Sequence, residues 1–315
     1  TGAAIEKGLE SALMLSGCNV VNIGIVPTPT VQVMVEHLHA AGGIVISASH
    51  NPVEWNAFKL VGKSGTFLTA SEIEKFFAMM EAPFTYRRWD GVGSVVADAG
   101  ANAIHIGKVL SVIDRDSISK KKFKVVLDSV NGAGSDITTD MLRKLGCGVV
   151  PLHCEMNGLF PRGAEPLPQN LSLLSKKVLD VKADIGFAQD PDADRLAIVD
   201  DAGRPIGEEN TIALVVEHLL ARKPGRVVIN LSTTKAVDDI AAAHGSELAR
   251  AKVGEINVVE EMMRGGARIG GEGNGGVISP EVHLGRDSLV GIGYILEMMA
   301  VRSQSISELV ASLPR

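Results

Sequence analysis

The sequence predicts an α/β protein of three similar units whose loops meet at one cleft. Three observations carry that prediction. Short apolar runs alternate with segments of helical period along the whole chain. Three times a helix ends in a small or polar break and a strand follows at once: Leu15-Ser16-Gly17-Cys18-Asn19-Val20-Val21, Leu145-Gly146-Cys147-Gly148-Val149-Val150 and Ala243-His244-Gly245-Ser246-Glu247-Leu248. Each unit also carries a loop of unusual composition: Ser47-Ala48-Ser49-His50-Asn51-Pro52, Asp190-Pro191-Asp192-Ala193-Asp194-Arg195 and Gly271-Glu272-Gly273-Asn274-Gly275-Gly276. Helix–glycine–strand punctuation is common in α/β proteins and is the plain alternative to a repeat. A chain of 315 residues exceeds one ordinary core and suffices for two or three α/β units. The units are placed at residues 1–100, 101–206 and 207–315.

In the first unit, Ala4 to Leu15 has apolar residues at helical spacing and Gly17 ends it. Val20 to Val26 reads as a strand. Pro27-Thr28-Pro29-Thr30 is a turn, with Thr30 as N-cap of a helix through His39, so that His37 and His39 are ordinary helix residues. The strand Ile44 to Ile46 delivers the serine loop, where Asn-Pro favours a turn. Phe58 to Val61 and Gly65 to Phe67 read as a hairpin turned by Lys63-Ser64-Gly65. A helix spans Ser71 to Met80, and Pro83 to Gly100 is a surface excursion.

In the second unit, a helix from Ala101 to Ile113 precedes a strand, Lys124 to Leu127. Asp128 to Gly134 is a turn, Asp136 to Leu145 a helix and Val149 to Leu152 a strand. The helix Ser175 to Val181 leads to the strand Ile185 to Ala188, which carries the acidic loop. Leu196 to Val199 returns as a strand. The third unit runs helix Asn210 to Leu220, strand Arg226 to Asn230, helix Ala236 to Ala243, strand Glu247 to Ala251 and helix Ile256 to Met263. Arg268-Ile269-Gly270 feeds the glycine loop, Val277-Ile278 is a strand, and Asp287 to Val301 a helix.

Composition excludes several classes. Hydrophobic residues at 45% and charged residues at 22% are ordinary for a globular protein. A net charge of -6 argues against a nucleic-acid or anionic-membrane partner, but not against a small anionic substrate. Cys18, Cys147 and Cys154 show no CxxC spacing and read as reduced, buried thiols of an intracellular, cytoplasmic protein. No apolar run approaches the ~20 residues that span a bilayer, and no signal peptide is visible. The chain opens inside a helix without Met and closes just after one at Pro314-Arg315, so a fragment is expected. Monomer and homodimer are both open.

The loops carry the chemistry. Ser49, at a strand end beside His50 and ten residues before Lys59, suits a nucleophile or phosphate carrier; a plain serine-rich turn is the alternative. In an extended segment, Asp190, Asp192 and Asp194 alternate and turn their carboxylates to one side. Three such carboxylates are hard oxygen ligands suited to Mg²⁺, and without a cation they would raise each other's pKa. A solvated acidic turn is the alternative. Arg195 could fork a phosphate oxygen or simply neutralise the loop. A phosphorylated Ser49 would supply Mg²⁺ with a further oxygen, making the two loops halves of one phosphoryl-transfer site. Lys59 could be the general acid/base if burial and nearby cations depress its pKa; otherwise it is an ordinary strand lysine. His50 could polarise the serine. Glu272 and Asn274 on a glycine frame suit sugar hydroxyls, or form a plain glycine-rich hairpin turn.

These motifs, with Asn56 after the first, resemble the α-D-phosphohexomutase superfamily in order and spacing, over the whole chain. Ile46 to Lys59 and the glycine loop with His283-Leu284-Gly285-Arg286-Asp287 are most similar to bacterial phosphoglucosamine mutases. The resemblance implies three α/β/α sandwich domains with mixed sheets around a shared cleft. It implies that phosphorylated Ser49, with Mg²⁺ on its phosphate and on Asp190, Asp192 and Asp194, exchanges phosphoryl groups with a small sugar phosphate through a bisphosphate intermediate. It implies Lys59 as general acid/base, with His50 beside the serine, and Arg195, Glu272, Asn274 and Arg286 as substrate-binding residues. The substrate expected is glucosamine phosphate, with phosphoglucomutase or phosphomannomutase activity as the near alternative. Many members have Ser and His where this chain has Asn274 and Gly276. The superfamily also has an upstream strand with an arginine-bearing loop and a fourth, phosphate-gripping domain, which this sequence does not contain. A catalytically idle sugar-phosphate binder and a metal-dependent phosphatase are the readings from other classes. The first has no use for the serine, lysine and aspartates, and the second none for a sugar loop on a separate unit.

Overall fold

Two of the three units share one sheet topology. In a computed structural model that describes residues 1–314, the second unit orders its strands β6-β5-β7-β8 and the third β10-β9-β11-β12. The strands are β5 (Lys124–Asp128), β6 (Gly148–Leu152), β7 (Ile185–Gln189) and β8 (Leu196–Val199), then β9 (Val227–Asn230), β10 (Leu248–Ala251), β11 (Ile269–Glu272) and β12 (Gly276–Ile278). In each sheet three strands are parallel and the last is antiparallel. The repeat read from punctuation is therefore a repeat of topology. Arg315, the expected chain end, lies outside the described residues.

The first unit differs. It has α1 (Gly2–Leu15), β1 (Val20–Asn22), α2 (Thr28–His37), β2 (Gly42–Ser47), β3 (Ala57–Gly62), α3 (Ala70–Met80) and β4 (Val95–Ala97). It forms two two-stranded sheets, parallel β1–β4 and antiparallel β2–β3, instead of one mixed sheet. The strand expected to reach Val26 stops at Asn22, because Gly24 adopts φ +73°. The helix expected to be capped by Thr30 starts three residues earlier, with Pro27 at the N-cap and Pro29 in the first turn. The expected hairpin between 58–61 and 65–67 contributes only a Val61–Phe67 bridge, because β3 pairs along its whole length with β2. Within the expected excursion, Val95–Ala97 forms β4.

The remaining helices are α4 (Ala101–Ser111), α5 (Arg115–Lys121), α6 (Gly134–Lys144), α7 (Ser172–Val181), α8 (Glu209–Arg222), α9 (Ala236–Ala243), α10 (Glu255–Gly265), α11 (Ser288–Arg302) and α12 (Ile306–Ala311). Alternation along each central strand makes two apolar faces. Val126 and Ala188 pack under α7, and Val228 and Ile278 under α10. The opposite faces, Val125, Leu127, Phe187, Ile229 and Ile269, join α8 and α11 in one continuous core shared by the second and third units. That core holds the acidic and glycine loops in fixed register. Cys147 is buried as expected, and burial pushes its thiol up to about 12; Cys154 is half-buried and Cys18 is exposed, contrary to expectation. None of the described helices is long and apolar enough to cross a membrane.

Candidate active site

Each distinctive loop is the connection of an antiparallel strand pair: β2–β3, β7–β8 and β11–β12. The serine loop closes by an Asn51 N–H bond to the Ala48 carbonyl at 3.0 Å, which places Ser49 and His50 at the turn's centre. Ser49 sits at φ +52°, a left-handed conformation disfavoured for a residue with a Cβ. Its amide donates to Ser47 Oγ at 2.8 Å, and its Oγ lies 3.2 Å from His50 Nδ1. Burial, with Arg195 next, holds the His50 pKa below the ordinary value. Asn56 lies outside this cluster and bonds Thr1 at 2.8 Å.

The acidic loop is a turn, not the extended segment expected. The Ala193 amide bonds the Asp190 carbonyl at 3.0 Å, and Ala193 has φ +55°. The carboxylates converge nonetheless: one oxygen from each of Asp190, Asp192 and Asp194 lies within 4.8 Å of the others, all three residues buried. Asp190 Oδ2, Asp192 Oδ1 and Asp194 Oδ1 are buried without a hydrogen-bond partner. Three orphaned carboxylate oxygens, one per residue, are a donor set that fits a hard divalent cation. Burial and the neighbouring carboxylates push Asp190 well above the usual range. Burial opposes ionisation of Asp194 too, but Arg286, Lys59 and Arg195 outweigh it and hold its pKa low.

Lys59 reaches this loop from β3, donating to Asp192 Oδ2 at 2.5 Å and Asp194 Oδ2 at 3.0 Å. It is therefore not an ordinary exposed strand lysine. The depressed pKa that would suit it to a general base is not found. Burial acts in that direction, but Asp194 and Asp192 overcome it and hold the ammonium above the usual lysine value. Arg195 joins the serine and acidic loops: one guanidinium nitrogen bonds Glu165, and the other lies 3.2 Å from His50 Nδ1.

From the third unit, Arg286 spreads one guanidinium over three carboxylates: Glu255 at 3.1 Å, Glu272 at 2.7 Å and Asp194 at 2.8 Å. Glu272 is buried at the end of β11 and also accepts from Asn230 at 2.8 Å and the Gly254 amide at 3.0 Å. Asn274 is half-buried, 3.4 Å from Glu272 Oε2. Gly275 has φ +87°, and a Cβ there would lie 2.3 Å from the Leu196 carbonyl oxygen. The Leu196 amide bonds the Gly275 carbonyl at 3.0 Å, docking the glycine loop on the strand that leaves the acidic loop. Sequence reasoning missed Thr28, Glu165 and Glu255, which no local pattern marks; only packing brings them here.

Comparisons with known proteins agree with this arrangement. Residues 1–87, 103–203 and 208–315 match the families described as phosphoglucomutase/phosphomannomutase, alpha/beta/alpha domains I, II and III. The chain is 36% identical over 320 residues to a phosphoglucomutase/phosphomannomutase of Thermococcus kodakarensis, covering 100% of this chain and 70% of the relative. It is 34% identical to a probable phosphoglucosamine mutase of Methanopyrus kandleri, covering 99% of this chain and 69% of the relative. A crystal structure of a putative phosphomannomutase from Thermus thermophilus superposes with a TM-score of 0.90 at 27% identity, covering 98% of this chain and 71% of that one.

Proposed function

The chain belongs to the phosphoglucomutase/phosphomannomutase family of phosphohexomutases, phosphotransferases of the isomerase class, and from that premise we propose its substrate and the roles of its residues. It interconverts glucosamine 6-phosphate and glucosamine 1-phosphate through a phosphoserine and a bisphosphate intermediate. The observation that carries this reading is the set of three orphaned carboxylate oxygens on a loop that Lys59 reaches from the strand pair bearing Ser49 and His50. The proposed division at residues 100 and 206 assigns one such loop to each unit.

Ser49 accepts and returns the phosphoryl group. His50 and Arg195 flank it, the arginine offering donors to a phosphate on Ser49 in place of Glu165. Asp190, Asp192 and Asp194 would hold Mg²⁺, which when bound neutralises charge on the transferring phosphoryl group. Lys59, kept protonated by Asp194 and Asp192, acts as the acid that gives a proton to the departing sugar oxygen. The same lysine then takes the proton from the attacking hydroxyl in the reverse sense. Glu272, Asn274 and Arg286 orient the sugar, and the shared core keeps their loop in register with the acidic one. Glucose or mannose phosphate is the second reading, favoured by the 36% identity to a relative named phosphoglucomutase/phosphomannomutase.

Intact-mass analysis and phosphopeptide mapping after incubation with a hexose 1,6-bisphosphate test the mechanism. One phosphate on Ser49, absent from Ser49→Ala, is expected. A coupled assay should then show faster turnover of glucosamine phosphate than of glucose or mannose phosphate. Phosphate on Ser47, or none in active protein, overturns the serine assignment. Sugar-phosphate binding without turnover identifies an idle binder.

A further inference from the structure

The acidic loop is gripped from outside by two groups that touch neither a cation nor a substrate in the reading above. On one side stands the first turn of α2. Thr28 Oγ1 donates to Asp192 Oδ2 at 2.5 Å, and the Thr28 amide donates to the Asp192 carbonyl at 3.0 Å. On the other side stands the start of α11. Ser288 Oγ donates to the Ala193 carbonyl at 2.6 Å and accepts from Gln189 Nε2 at 2.7 Å. The two grips are tied together through the interior. Thr30 Oγ1 lies 2.9 Å from His105 Nδ1, and His105 Nε2 lies 2.7 Å from Asp287 Oδ2. Asp287 Oδ1 accepts from the Leu289 amide at 2.8 Å, capping α11. Thr28, Thr30, His105, Asp287 and Ser288 are all fully buried.

These contacts close a ring through all three units, from Asp192 by way of Thr28, Thr30, His105, Asp287 and Ser288 to Ala193. We propose that this ring is the positioning element of the acidic loop, with Thr28 and Ser288 as its two contact points. The reason lies in which oxygen each group takes. Thr28 and Lys59 both engage Asp192 Oδ2, which leaves Oδ1 to face the orphaned oxygens of Asp190 and Asp194. Ser288 holds the carbonyl of Ala193, whose left-handed backbone is disfavoured for a residue with a Cβ and needs an external hold. Mg²⁺ tolerates little departure from octahedral geometry, and loss of a group that orients a ligand typically weakens metal binding ~10–100-fold.

The inference rests on the reading of the acidic loop as a cation site, and the experiment separates the two. Mg²⁺ binding is measured by calorimetry, with Mn²⁺ as a paramagnetic probe, on the whole chain and on Thr28→Val, Thr28→Ser, Ser288→Ala and Asp192→Ala. Thr28→Val and Ser288→Ala should each weaken Mg²⁺ binding ~10-fold, and Thr28→Ser should restore it. The KM for sugar phosphate at saturating Mg²⁺ should stay within about twofold, a split that general loosening would not produce. Thermal melts identify any variant that fails to fold, and Ser288→Ala then carries the test from the other side of the ring. Unchanged Mg²⁺ affinity in folded Thr28→Val and Ser288→Ala, with Asp192→Ala weakened, overturns the positioning role alone. A chain that takes up no Mg²⁺ overturns the cation site and the ring's role together.

Discussion

Replacing Arg286 by alanine removes the one cation that Glu255, Glu272 and Asp194 share. The three carboxylates do not suffer equally. Asp194 keeps Lys59 at 3.0 Å, and Glu272 keeps Asn230 and the Gly254 amide. Glu255 keeps only a Gln32 amide bond at 3.0 Å and is otherwise buried. Breaking a buried ion pair by deleting one partner costs ~3–5 kcal/mol, which applies to Glu255. Each of the other two loses one of several hydrogen bonds, ~1 kcal/mol apiece. The total, ~5–7 kcal/mol, is a large share of the stability of an ordinary protein and should lower the melting temperature by on the order of 10–20 °C. Arg286→Lys keeps the charge but not the planar fork, and should recover about half of the loss.

The same substitution should acquire a pH signature. Burial already holds the Glu255 pKa above the ordinary value, with Arg286 working against it, so losing Arg286 raises it further. A carboxyl group with a raised folded pKa binds more protons folded than unfolded, so stability falls as pH rises through that window. The deficit of Arg286→Ala relative to the parent should therefore shrink as pH is lowered from about 8 to about 5.5, in calorimetric melts without added metal. A melting temperature within about 2 °C of the parent, or a deficit independent of pH, would refute the claim that Arg286 neutralises this buried cluster.

Gly275→Ala should cost ~2 kcal/mol in stability from its left-handed backbone and the strained Leu196 contact, and raise the sugar-phosphate KM several-fold as the glycine loop lifts from β8. Gly266→Ala, at φ +63° with no atom within 4 Å of the new Cβ, is the control: melts should show the smaller loss and kinetics no change. Asp190 has a raised folded pKa, so the metal-free chain should gain stability as pH falls from neutrality toward the unfolded carboxylate value near 3.8. The low pKa of Asp194 acts in the opposite sense only below that value. Saturating Mg²⁺ should flatten the dependence above about pH 5, as melts with and without chelator will show.

Much of the architecture was legible because strand and helix periods are local properties. Leu196–Val199 and Ala236–Ala243 fall at the residues predicted, and most other elements within a few residues. The candidate loops were legible for the same reason: each is a run of unusual composition at a strand end, where backbone groups and side chains face out of the sheet. The helix expected just before Pro314-Arg315 is Ile306–Ala311, but the one at Arg115–Lys121 was not found, since a short amphipathic turn carries little periodic signal.

By itself the sequence determined that there are three α/β units and which loops are the candidates for chemistry. Tertiary structure alone decided how those loops are charged and held. The sequence left Lys59 either depressed by burial and nearby cations or an ordinary strand lysine, and two aspartates more than a hundred positions away instead raise its proton affinity. The acidic residues were expected to align by strand alternation, but they meet across a turn that Thr28 and Ser288 hold from different units. The division follows from range. Periodicity and turn preference act between residues a few positions apart, whereas desolvation, ion pairing and buried hydrogen bonds depend on which distant segments fill the same volume.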